Sequence, residues 1–279
     1  MPSKNIKTNF GSRNMTKIKI NNININYELN GTGYPIVFIH GLSDDLNYWN
    51  PLVKELEKNY KTIAVDLRGH GKSDQGSETS KISLYRDDLY YLLKELKIKK
   101  AIFVGLSMGG NVALDFAVKY PKMVSGLFIM SSYSEFNHKL NHIFSKFEKA
   151  IEINFEEFYD AIIPYCLPED TIERNKDILE EIKITKAKTA NCHGISNGLK
   201  AGHGFFITNE LKKIDVPTMV LGGADDDLVS PNMQRKISDN IKNSEFILFE
   251  NTKHNILIGK NIAKILELIK EMAEQINSK

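Results

Sequence analysis

The chain has 279 residues, with 37 Lys and Arg against 35 Asp and Glu, a net charge of +2 when the histidines are neutral. Charge this close to balance excludes nucleic-acid binding driven by a basic surface. With 42 % hydrophobic and 26 % charged residues, the chain lies outside the regime of disorder and can bury a sizeable core, as one large domain or one domain with an insertion.

Met1 to Asn14 carry Lys4, Lys7 and Arg13 without an apolar run, so they do not read as a secretory signal and are expected to be a disordered leader. Two cysteines, Cys166 and Cys192, are too few for a disulfide framework and are expected to be free packing residues. A reducing, cytoplasmic compartment follows as an expectation. The uncharged stretch Ala101 to Leu114 is interrupted by glycines, Ser107 and Asn111 and falls short of the roughly 20 apolar residues that span a bilayer, so a soluble protein is expected.

Lys17–Ile20 and Ile23–Leu29 flank Asn21-Asn22, residues that tolerate positive φ, and predict an edge hairpin. Short apolar runs follow at 36–39, 62–65, 101–104, 126–130, 218–221 and 246–249. Such runs mark strands buried on both faces of a parallel sheet. Between them lie helical stripes: Tyr85, Leu89, Leu92, Leu93 and Leu96, then Ile262, Leu266, Ile269, Met272 and Ile276. Asn50-Pro51 reads as a cap followed by the first helical position. Alternating strands and helices predict an α/β fold with a mostly parallel sheet.

The alternation stops between about Ser131 and Asn209. There Phe144, Phe147, Ile151, Phe155, Phe158 and Ile162 form apolar helical faces, Pro164 and Pro168 read as breaks, and Ile172–Ile184 reads as one helical piece. The expected organisation is a core of residues 15–130 and 210–279 with a helical cap inserted at 131–209.

Gly105-Leu106-Ser107-Met108-Gly109-Gly110 matches G-x-S-x-G, entered from the strand pattern at 101–104 and left by the helical pattern at 111–119. A serine at the tip of so tight a turn needs small neighbours two residues away on both sides, and its hydroxyl then projects above the carboxyl end of the sheet. A hydroxyl is a weak nucleophile without a base, so a histidine and an orienting carboxylate are required. His254, between the last strand and the last helix, is the best placed of seven histidines. Asp225, Asp226 and Asp227 follow the strand at 218–221; three adjacent carboxylates repel, so at least two should face water or pair elsewhere. Serine, acid and histidine then occur in the chain order of one particular fold.

These features, with His40-Gly41 after the first buried strand and Asp66-Leu67-Arg68-Gly69-His70-Gly71-Lys72-Ser73 after the next, resemble the α/β-hydrolase fold family with a helical cap. The resemblance aligns Gly223 and Leu228-Val229 with the family's turn, which selects Asp226 as the acid, and it implies an oxyanion hole from the backbone N–H groups of Leu42 and Met108. Two departures stand out: Lys253 where the family usually has Gly, and Ser230 before Pro231. The resemblance implies a serine hydrolase, carboxylesterase-like, acting through Ser107, Asp226 and His254 on a small, partly apolar acyl substrate, with no metal or organic cofactor. Neither nucleic acid nor stable membrane insertion is expected. The fold also hosts C–C bond hydrolases, lactonases and small-molecule receptors, which remain the alternatives.

Other patterns carry less. Gly71-Lys72-Ser73 lacks the earlier glycine of a phosphate loop, because Asp66 stands there. Asp66, Arg68, His70 and His40 read as loop-fixing residues. His138 and His142 have no accompanying carboxylate for a metal site. His193 and His203 are expected in a flexible glycine-containing loop. Tyr48 and Trp49 fit either the pocket mouth or helix packing.

Overall fold

The computed structural model describes residues 16–77 and 81–278; the proposed leader, Met1 to Asn14, lies outside them. Among the described residues, eight strands are formed: β1 (Thr16–Ile20), β2 (Ile23–Asn30), β3 (Pro35–Ile39), β4 (Lys61–Val65), β5 (Ala101–Leu106), β6 (Val124–Met130), β7 (Thr218–Gly223) and β8 (Ser244–Phe249). They build one sheet in the order β1-β2-β4-β3-β5-β6-β7-β8. From β4 to β8 all pairs are parallel, while β1 and β2 join antiparallel at one edge. Asn21 and Asn22 have φ of 46° and 63°, as a two-residue hairpin of matching twist requires.

Both faces of the sheet are covered, which is why the central strands read as continuous apolar runs. On one face α2 (Ile82–Glu95), α3 (Met108–Lys119) and α9 (Pro231–Asp239) enclose Phe103, Leu127 and Val220. On the other, α1 (Asn50–Leu56) and α10 (Asn261–Asn277) enclose Phe38, Val104 and Phe128. The strand order reverses between β3 and β5, whose chains leave the sheet toward opposite sides. Such a reversal opens a crevice at the carboxyl ends of the strands. Ser107 and Leu42 therefore meet at one rim.

Between β6 and β7 the chain forms α4 (His138–Ile153), α5 (Phe155–Cys166), α6 (Glu169–Arg174), α7 (Lys176–Ala187) and α8 (Cys192–Gly202). The strand contact found there is a single isolated bridge, Glu135 to Phe206. These helices have their own apolar cluster around Phe147, Phe155, Phe158 and Leu199. Among the described residues, no helix is long and apolar enough to cross a membrane.

Several local expectations need correction. Pro164 does not break the chain: it sits inside the last turn of α5, which runs on to Cys166, where a missing N–H removes only one intrahelical bond. The piece expected at 172–184 is two helices, because Asn175 leaves helical geometry with φ −115° and ψ 18°. Asn50 is already helical, inside α1; a side-chain cap is found one turn earlier, where Asp45 accepts from Asn47 N–H at the start of a 3₁₀ turn. The glycine-containing segment at 192–202 is helix α8 rather than a flexible loop. Gly194, Gly198 and Gly202 recur every fourth residue and form one smooth stripe. A Cβ at Gly194 would strike the Gly69 carbonyl, one at Gly198 would press on Leu42, and one at Gly202 on the Tyr133 hydroxyl.

Candidate active site

Ser107 links β5 directly to α3, with φ 50° and ψ −116°, a strained region for a residue with a side chain, costing about 1–3 kcal/mol. Backbone and side-chain bonds hold it there. Ser107 N–H donates to the Met130 carbonyl at 2.8 Å, and its own carbonyl accepts from Gly110 and Asn111 N–H and from the Ser132 hydroxyl at 2.8 Å. The flanking glycines are obligatory: a Cβ at Gly105 would collide with the Gly109 carbonyl, and one at Gly109 with the carbonyls of Ile39 and His40.

Three distant positions meet at this turn. Ser107 Oγ lies 3.0 Å from His254 Nε2, and His254 Nδ1 lies 2.9 Å from Asp226 Oδ2. Because Nδ1 faces a carboxylate it carries the proton, which leaves Nε2 of the neutral ring free to accept from the hydroxyl. Asp226 and His254 are both buried. Asp226 Oδ1 accepts from Leu228 N–H at 3.0 Å and Val229 N–H at 2.9 Å, and Oδ2 accepts from Gln234 Nε2 at 3.1 Å. Asp225 and Asp227 point to solvent. Sequence reading missed Gln234, which reaches back from α9 and also donates to the Val229 carbonyl at 2.7 Å. A glycine at 222 is the signal that accompanies it, since any Cβ there would occupy the place of the Gln234 amide.

Leu42 and Met108, the expected oxyanion donors, both line the cavity beside Ser107. Met108 is the first residue of α3, so its N–H has no partner within the helix. A Cβ on Gly41 would stand 3.5 Å from Ser107 Cβ, so the loop after β3 runs alongside the serine. His40 ties that loop to the next one: Nδ1 donates to Gly41 O at 2.7 Å and Nε2 accepts from Leu67 N–H at 3.0 Å. Asp66 accepts from Leu46 N–H, Lys72 N–H and the Asn26 amide. Buried Arg68 forks onto Asp88 at 2.7 and 2.8 Å. Burial, with a smaller push from His40, drives the His70 pKa down to about 3, so that ring is neutral.

The histidine loop is anchored from outside the sheet. Lys253 Nζ donates to Pro164 O at 2.9 Å, His254 N–H to Tyr165 O at 3.2 Å and Asn255 N–H to Cys166 O at 3.1 Å. Leu167 N–H takes Ile163 O at 3.1 Å, so all four terminal carbonyls of α5 are satisfied. Lys253 thus directs its charge to a helix C-terminus and toward Asp227, 3.7 Å away, a placement that the helix dipole favours.

A cavity of about 330 Å³ opens over Ser107. Phe144, Phe147, Phe155, Ile162, Leu179 and Ile182 contribute apolar wall from the inserted helices; Phe158 lies fully buried behind Phe147. Tyr48 lines the cavity and donates to Asn255 Oδ1 at 2.8 Å, whereas Trp49 is buried against Phe38. Cys166 lines the cavity too, its thiol pushed up to about 12 chiefly by burial. His203 pairs with Glu148 at 3.0 Å and His193 is exposed, so neither faces the cavity. Among the described residues, no group of three or more His, Cys, Asp or Glu could hold a metal ion.

A serine held between strand and helix at the switch point of a mostly parallel sheet, with an imidazole on its hydroxyl and a carboxylate behind, defines the α/β hydrolases as a class. The family model described as "alpha/beta hydrolase fold" matches residues 34–171, and the chain belongs to that family. It is 35 % identical over 106 residues to an uncharacterised protein of Mycobacterium tuberculosis, a match of 38 % of this chain and 31 % of that protein, so the chain spans about a third of that relative. Similarity over a greater length, 28 % identity covering 93 % of this chain and 92 % of the other, links it to a proline iminopeptidase of Saccharolobus solfataricus. Among solved structures, the enol-lactonase from Burkholderia xenovorans superposes with a TM-score of 0.85 at 21 % identity, covering 93 % of this chain and all of that one.

Proposed function

We propose that the protein is a serine hydrolase that cleaves a carboxylic ester or related acyl bond of a small, partly apolar substrate, with residues 131–209 acting as its cap. The observation that carries this reading is the unbroken series Ser107 Oγ, His254, Asp226, at 3.0 and 2.9 Å, on the floor of an apolar cavity. His254 Nε2 takes the Ser107 proton as Oγ attacks the carbonyl carbon. Asp226 holds the ring in the productive tautomer and stabilises the imidazolium. The N–H groups of Leu42 and Met108 receive the negative charge that develops on the carbonyl oxygen; losing one such donor costs about 2.7–4 kcal/mol. His254 returns the proton to the leaving alkoxide. Water then opens the acyl-enzyme with the same imidazole as base.

An ester fits the balance of the cavity, whose wall is mainly aromatic and aliphatic. The enol-lactonase with the same fold acts, by its name, on a cyclic ester. A fluorophosphonate probe is expected to label Ser107, and nitrophenyl esters of short acyl chains are expected to turn over. Ser107→Ala should abolish both. Ester turnover that survives this substitution would place the nucleophile elsewhere.

A further inference from the structure

Among the described residues, the Asp, Glu, Lys and Arg side chains that line the cavity are Asp44 and Lys186. Asp44 follows the proposed oxyanion residue Leu42 by two positions, and Lys186 stands near the end of α7. Lys186 Nζ lies 2.9 Å from Asp44 Oδ1, with the two side chains 39 % and 24 % exposed. The pair bridges the inserted helices to the loop after β3. It also forms the wall toward a second depression of about 270 Å³, lined by both residues together with Asp45 and Asp66.

Among the described residues, the only cation of the cavity wall is therefore already engaged. The Asp44 charge is the main reason that the Lys186 pKa is raised, and Asp45 adds to it. After burial itself, the Asp44 charge is the next cause of the raised pKa values of Tyr48 and Cys166, both of which line the cavity. Its negative field thus extends inside. A carboxylate carried in by a substrate would meet Asp44 and, just beyond, Asp45, and would have to compete with them for Lys186. In a partly desolvated site, bringing like charges together is penalised heavily. An uncharged acyl chain disturbs none of these groups and buries its surface against Phe144, Phe147 and Ile162.

We propose that the Asp44–Lys186 pair is a specificity determinant that admits uncharged acyl esters and rejects esters bearing a free carboxylate. The proposal rests on the serine-hydrolase reading above and deepens it by naming the substrate class. In Asp44→Asn the neighbouring anion is gone while Lys186 stays charged, so the same cavity gains an unpaired cation suited to a carboxylate. In Lys186→Met the anion stands alone and discrimination sharpens.

The experiment compares kcat/KM for p-nitrophenyl butyrate and for mono-p-nitrophenyl succinate, whose four-carbon acyl chains differ in one terminal carboxylate. The native enzyme is expected to prefer the butyrate by about tenfold or more, and Asp44→Asn to lower that preference about tenfold, chiefly through KM of the succinate. Lys186→Met is expected to raise the preference, and it serves as the readout should Asp44→Asn fold poorly. An uncharged fluorophosphonate, applied to the same proteins, reports Ser107 independently of acyl charge. Absence of labelling in the native protein would overturn the serine-hydrolase reading itself. Normal labelling with equal rates on both esters, or with a preference that neither substitution moves, would overturn this proposal alone.

Discussion

Replacing Asp226 with Asn removes a charge and almost no volume, so the loss it causes reports directions of hydrogen bonds rather than packing. Oδ1 is held by the N–H groups of Leu228 and Val229 at 3.0 and 2.9 Å. An amide at 226 must keep its oxygen on those two donors and turn its NH2 toward His254 Nδ1, where Oδ2 now sits 2.9 Å away. A donor cannot receive the Nδ1 proton. The ring then adopts the other tautomer, Nε2 carries hydrogen, and the Ser107 hydroxyl loses its acceptor. The same NH2 also faces the Gln234 amide nitrogen, now 3.1 Å from Oδ2, so two donors confront each other in a buried site. A wrong tautomer in such a triad costs about 10⁴-fold in kcat, or roughly 5.4 kcal/mol. Steady-state hydrolysis of p-nitrophenyl butyrate is expected to show that fall with KM changed only a few-fold, and fluorophosphonate labelling should slow in parallel. An Asp226→Asn enzyme that keeps more than about a tenth of native kcat would refute the tautomer argument.

Two further outcomes follow from groups around the site. His70 is buried with its pKa depressed to about 3, so the unfolded chain binds a proton that the folded chain refuses. Stability from this group is complete above about pH 6.5 and is lost as pH falls toward 3, at up to about 1.4 kcal/mol per pH unit. Denaturant melts from pH 7 to 4 should show a shallower decline in His70→Asn than in the native protein, and equal slopes would argue against a neutral buried ring. Lys253→Met keeps the aliphatic stem and removes the bond to Pro164 O; a loss of about 1 kcal/mol, seen as a melting shift of roughly 2–4 °C, is expected, together with reduced kcat that Lys253→Arg restores.

Much of the fold can be read along the chain because its signals are local. Five of the six apolar runs are buried strands bounded by turns, whereas β8, at the sheet edge, is only half-buried despite its apolar run; Gly105 and Gly109 flank Ser107 within five residues. His254 also stands out, by its place between β8 and α10. What escaped reading depends on elements that meet only after folding. Gln234 reaches Asp226 from the first turns of α9, and nothing in Ser230-Pro231-Asn232-Met233-Gln234 announces a buried amide. The Arg68–Asp88 pair joins a loop to a helix twenty residues on. The segment containing Gly194, Gly198 and Gly202 looked like loop because glycine disfavours isolated helices; packed against the Gly69 backbone and Leu42, the absent side chains become the reason the helix fits. The docking of Lys253, His254 and Asn255 on α5 involves two backbone donors and three backbone acceptors, groups that every sequence carries.

That docking makes the enzyme's two halves hard to exchange. The helix that shapes one wall of the cavity, through Ile162, Ile163 and Cys166, also supplies the carbonyls on which the loop of the imidazole rests. Grafting a foreign insertion onto this sheet to alter selectivity would dislodge His254 along with the wall, unless the transplant offered a helix terminus of the same height and tilt. Redesign of this scaffold is better confined to side chains pointing inward from α5, leaving its final turn untouched.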